Sequence, residues 1–67
     1  MEKGQYGRRI RAFRKLKRIQ QTEFAKRIGI SVTTLGRIER GEKLPKEETL
    51  QTIADELSID IEELKGQ

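Results

Sequence analysis

The chain is 67 residues long with a formal net charge of +4, 39% charged residues, and neither Cys nor His. That length supports one small core, since a domain of this size buries only about 60% of its unfolded surface. The missing residue types exclude disulfides, Cys/His zinc sites and imidazole catalysis. With no apolar run longer than two residues, neither a membrane span nor a signal-peptide core fits.

In chain order, Tyr6, Ile10, Phe13 and Leu16 recur at helical spacing, with Arg8, Arg11, Lys15 and Arg18 off that stripe, which predicts a first helix over residues 6–17. Phe24, Ala25 and Ile28 mark a second over 21–28. Gly29 follows as a helix stop, because a left-handed residue there costs glycine no steric strain. Ile30 tucks under the turn, and Ser31 caps a third helix over 32–40, which turns Leu35 and Ile38 inward. Gly41 is again placed as a stop. Residues 41–45 read as a loop, with Pro45 biasing Leu44 away from helical angles. A fourth helix over 47–57 carries Leu50, Ile53, Ala54 and Leu57 on one face, with Glu47 and Glu48 favourably placed in its first turn. Asp60 reads as the cap of a short fifth helix over 61–65, with Ile61 and Leu64 inward and Ile59 as a staple. The expected fold is all-α, five helices in a single domain without repeats or linkers.

Two short helices around a three-residue turn, in residues 21–40, form the pattern of a DNA-reading helix-turn-helix. An ordinary helical hairpin is the alternative. Charge favours DNA: residues 1–43 carry 13 Lys or Arg against four Glu, a net +9, whereas residues 44–67 carry two Lys against seven acids, a net −5. A basic front on an acidic back suits a protein that meets phosphates in one orientation. A polarised but merely solvated surface is the competing reading.

On the third helix, Val32, Thr33, Gly36, Arg37 and Arg40 fall on one outward strip without an acid in it. Gly36 would let a base edge come close, at a cost of about 1 kcal/mol in helix propensity relative to Ala. Arg37 can pair bidentately with a guanine edge, and Val32 and the Thr33 methyl can pack on thymine methyls. A solvated cation or a phosphate contact is the alternative for Arg37.

From Gly7 to Leu64 the chain resembles the phage-repressor and Cro-like helix-turn-helix domain, also called the XRE family. The resemblance is carried by RIRAFRKLK, QTEFAKRIGIS, TTLGRIERG, and then LP, ETL, IADELSID and EEL. It implies a compact five-helix, lambda-repressor-like fold and a sequence-specific regulator of transcription, most simply a repressor, acting on double-stranded DNA as a homodimer. By position it implies that Val32, Thr33 and Arg37 read bases, and that Gln21 anchors a phosphate and braces the reading helix. Thr34, Arg40 and Lys43 match backbone-contacting positions, as do Gln20 and Ser31 with less support. Arg14 and Glu39 match a buried pair orienting the reading helix; a surface ion pair worth at most about 1 kcal/mol is the other possibility.

Three departures stand out. Gln20 and Lys46 occupy places where the family often has Ser or Thr caps, and Val32 replaces a polar residue at the first reading position. A protein-interaction module, such as an antitoxin or coactivator, is the alternative function. Nothing points to an enzyme, cofactor, metal, membrane or small-molecule ligand, and the expected compartment is the cytoplasm.

Overall fold

The computed structural model describes residues 3–66, and among them five helices follow one another without a strand: α1 (Lys3–Leu16), α2 (Gln21–Ile28), α3 (Val32–Glu39), α4 (Glu47–Leu57) and α5 (Ile61–Lys65). The principal extents are 27 × 24 × 20 Å. None of these helices is long and apolar enough to cross a membrane. A single buried cluster holds them together, made of Ile10 from α1, Phe24 and Ala25 from α2, Leu35 and Ile38 from α3, Leu50, Ile53, Ala54 and Leu57 from α4, and Leu64 from α5.

Four helix ends share one device. In each, a residue with positive φ follows the helix, and two backbone N–H groups reach back to carbonyls of the last turn, which satisfies acceptors that a helix end leaves open. After α2, Gly29 (φ 78°) donates to Lys26 and Ile30 donates to Ala25. After α3, Gly41 donates to Ile38 and Glu42 to Arg37. The glycines make both turns free of strain. After α1 and α4 the same position is filled by Arg18 (φ 60°) and Ser58 (φ 59°), which the sequence does not announce. Ile19, Ile30 and Ile59 stand just beyond three of these turns, and all three pack against the core. The isoleucine seals the turn on its apolar side.

Starts are less uniform. Ser31 caps α3 by accepting from the Thr34 N–H at 3.1 Å. Gln20 and Lys46 occupy the cap positions of α2 and α4 without a side-chain hydrogen bond. Asp60 stands at the cap position of α5, yet its carboxylate makes no capping bond; its backbone carbonyl accepts from Glu63 instead.

Two expectations for α1 need correction. It starts at Lys3 rather than residue 6, because the apolar stripe reports only where the helix meets the core. Leu16 is 76% exposed. Taking Tyr6 as 0° at 3.6 residues per turn, the buried residues Ile10, Arg14 and Gly7 lie at about 40°, 80° and 100°, while Leu16 lies at about 280°. One edge of the stripe is therefore made by a glycine and an arginine, which apolar periodicity cannot see. A Cβ on Gly7 would stand 2.7 Å from the Glu39 carbonyl oxygen and closer still to that of Ile38. That contact lets α1 lie directly against the end of α3.

A candidate nucleic-acid interface

The reading helix is held from behind by a buried polar bracket. Arg14 of α1 donates through Nε to Oε2 of Glu39 at 2.7 Å and through Nη2 to Oε1 at 3.1 Å, a bidentate geometry. Its remaining amine, Nη1, donates to the Ile19 carbonyl at 2.8 Å. Gln21 Nε2 at the start of α2 donates to the same Glu39 Oε1 at 3.0 Å. Arg14 and Glu39 are each only 7% exposed. One carboxylate on α3 thus accepts three hydrogen bonds from two partners and ties α1, α2 and α3 together. A buried pair of this kind contributes orientation more than net stability, because desolvation offsets much of its attraction.

On the other side of α3, Val32, Thr33, Arg37 and Arg40 are exposed, and Thr34 is half-buried. Ser31 donates its hydroxyl proton to Thr34 Oγ1 at 2.9 Å, so both hydroxyls are committed to starting the helix as well as facing outward. Lys43 is exposed in the loop after α3, and Gln20 is exposed just before α2. The eleven positions singled out in the sequence therefore divide into Arg14 and Glu39 inside, eight along α3 and its flanks, and Gln21 half-buried between them.

Gly36 does not lie open on the strip. It is buried: a Cβ there would meet Arg40 Nη1 at 3.1 Å and Gln21 Nε2 at 3.7 Å. The missing side chain makes room for the Arg40 guanidinium to lie across the helix. Arg40 is also clamped by Glu42, through Nε at 3.0 Å and Nη2 at 3.3 Å. Hydrogen bonding from Arg40 holds the Glu42 carboxyl below its ordinary range, with the Arg40 and Arg37 charges adding to the effect and partial desolvation opposing it. The same bond pushes the Arg40 guanidinium further up.

A cleft of about 430 Å³ opens between these elements, lined by Arg11, Arg14, Gln21, Gly36, Glu39 and Arg40. Two of its exposed walls are cationic. Arg11 is the residue that reasoning from the α3 strip overlooks, although it stands one turn before Arg14 on the same side of α1. Gly7 is the other omission, visible only as a glycine inside an otherwise helical run.

The helix-turn-helix family profile matches residues 10–64. YazB of Bacillus subtilis strain 168, described as an uncharacterised helix-turn-helix-type transcriptional regulator, is 56% identical over 64 residues, 96% of this chain and 93% of its own. The cryptic phage CTXphi transcriptional repressor RstR of Vibrio cholerae is 50% identical over 46 residues, 69% of this chain but 41% of the repressor. Among solved structures, the restriction-modification controller protein C.AhdI from Aeromonas hydrophila superposes with a TM-score of 0.88 at 27% identity, over 92% of this chain and 94% of the controller. With a family profile spanning most of its length and a bracketed helix pair at its centre, this chain belongs to the helix-turn-helix family of DNA-binding transcriptional regulators.

Proposed function

We propose that α3 enters the major groove of a duplex and that the protein regulates transcription by occupying its site, as a repressor without catalytic activity, in the cytoplasm. Val32, Thr33 and Arg37 read base edges, Arg37 through its guanidinium and the other two through methyl contacts. Gln21, Thr34, Arg40 and Lys43, with Gln20 and Ser31 beside them, face the sugar-phosphate backbone and set the register. The observation that carries this reading is the pairing of an exposed, acid-free strip on α3 with a buried bracket behind it. A helix packed only for stability has no need of an Arg–Glu–Gln cluster to fix its angle.

Two copies acting on half-sites one helical turn apart complete the proposal. Leu44, 52% exposed in the loop after α3, is the apolar residue placed to help join them.

Selection of bound sequences from a random duplex library tests the reading. Enrichment of a two-fold symmetric site with half-sites about 10 base pairs apart is the expected result. If selected and random duplexes bind alike, base reading by α3 is wrong; enrichment of a single unrepeated half-site would remove only the dimer.

A further inference from the structure

The exposed cations of α1 form a row that the α3 interface does not use. Arg8, Arg11 and Lys15 follow one another at spacings of three and four, with Arg18 just beyond the helix end, and all four are exposed. On the wheel that places Arg14 and Gly7 at about 80° and 100°, Arg11, Lys15 and Arg8 lie at about 140°, 180° and 200°. Gly7 and Arg14 are the residues that touch α3, so the row borders the α3 side of α1. The opposite border carries Tyr6, which packs against the core. Arg11 settles the placement, because it lines the same cleft as Gly36 and Arg40.

The row is also unneutralised. Among the described residues, Arg14, Arg27, Arg40 and Lys65 have carboxylate partners, whereas Arg8, Arg11, Lys15 and Arg18 have none. No acid occurs anywhere in α1. Like charges three and four apart destabilise a helix, so such a row opposes folding unless an anion meets it. The larger concavity, about 580 Å³, takes in Arg18 from the far end of the row but is lined by two acids as well, Glu23 and Glu56, which hold Arg27 at 3.1 Å and 3.5 Å.

We infer that this edge of α1 is a second DNA-backbone contact, continuous with the α3 interface through Arg11 and following one strand of the duplex outside the groove that α3 enters. From Arg8 to Lys15 the row rises about 10 Å along the helix axis. One DNA strand presents a charge about every 3.4 Å of its axis, so the row can meet two or three phosphates. The inference rests on the α3 reading proposed above. It adds length to the footprint but no base preference, since phosphates carry no sequence information.

Duplex binding measured across a series of salt concentrations, for the full chain, tests it. Arg8→Gln with Lys15→Gln is compared with Arg27→Gln with Lys65→Gln, which removes the same charge at sites already paired with acids. The α1 pair should lower the salt slope by about 1.8, the loss of two phosphate contacts, and weaken binding roughly 30-fold at 0.15 M salt, while leaving the selected sequence unchanged. The second pair should leave the slope near wild type. Because removing like charges relieves repulsion, the α1 variant folds, which a thermal melt verifies. An unchanged slope, or an equal change in both variants, overturns the α1 contact and leaves α3 standing. Should the α1 variant instead alter sedimentation of the free protein, the basic edge receives the acidic half of a second copy and the inference fails. Wild-type protein without salt-dependent duplex binding would overturn the α3 reading itself, and this contact with it.

Discussion

The Arg40 guanidinium lies across Gly36, with Nη1 3.1 Å from where a Cβ would stand. The neighbour at that distance is the far end of a flexible side chain, so it can move aside. Gly7 is the opposite case, because its neighbours are the carbonyls of Ile38 and Glu39. Gly36→Ala should therefore raise stability by up to about 1 kcal/mol through helix propensity, while displacing Arg40 and weakening DNA binding. Gly7→Ala gains the same propensity but should lose about 2 kcal/mol net, the top of the range for overpacking less that gain. Paired thermal melts would show the two alanines shifting Tm in opposite directions; a shift of the same sign would contradict both packing assignments.

Removing one side of the buried bracket is costly for a different reason. Arg14→Met leaves Glu39 charged, buried and held only by Gln21, and should destabilise the fold by about 3 to 5 kcal/mol. Arg14→Met combined with Glu39→Leu should recover most of that loss. The double variant is the informative one: urea unfolding should find it near wild-type stability, while its preference between selected and random duplexes falls because nothing sets the angle of α3.

Acidification should release Arg40. The Glu42 carboxyl titrates below its ordinary value of 4.5, so its contribution to the folded state is present above that value and is lost as pH falls through the lower folded one. Protonation also frees the arginine for phosphate. Glu42→Gln should reproduce this at neutral pH, strengthening binding to every duplex by up to about fivefold at 0.15 M salt, the ceiling being one full phosphate contact that Arg40 no longer divides with Glu42. Carboxyl NMR would report the midpoint, and adding Arg40→Gln should abolish the gain.

Ser31 caps α3 and, in the function proposed above, also stands beside the duplex; two substitutions separate those roles. Ser31→Ala should cost about 1 kcal/mol by removing the acceptor for the Thr34 N–H. Ser31→Asp keeps an acceptor and suits the positive end of α3, so Tm should hold. Its carboxylate would repel phosphate, and duplex affinity should drop more than it does in the alanine variant. Equal affinities would place Ser31 away from the backbone.

Specificity and general affinity should part at α3 and its following loop. Arg37→Ala should relax preference at one base pair by about 1 to 3 kcal/mol. Lys43→Ala should weaken selected and random duplexes alike and reduce the salt slope by about 1. Competition binding with single-base variants of the selected site distinguishes the two.

Helix order and most of the core were legible because Phe24, Leu35, Ile53 and Leu57 recur at helical spacing and Gly29 and Gly41 stop helices without strain. Three things were not. Apolar spacing draws the inner face of α1 toward Leu16, since the residues at its other edge are Gly7, which packs by having no side chain, and Arg14, whose burial depends on a partner 25 positions away. The turns at Arg18 and Ser58 were hidden because neither residue type favours positive φ. Gly36 reads as open surface on a helical wheel, which records direction but not the Arg40 side chain folded over it. Local pattern captures what a residue does within its own helix. It is blind to what another helix lays on top.

The bracket of Arg14, Glu39 and Gln21 has one more consequence. None of its hydrogen bonds reaches Val32, Thr33 or Arg37, so exchanging those three leaves in place the bonds that set the angle of α3. With base reading by those three as proposed above, a new target sequence is a few substitutions away on a frame that stays put, and two proteins sharing this fold and bracket would divide a genome between them by differing at three positions on one short helix.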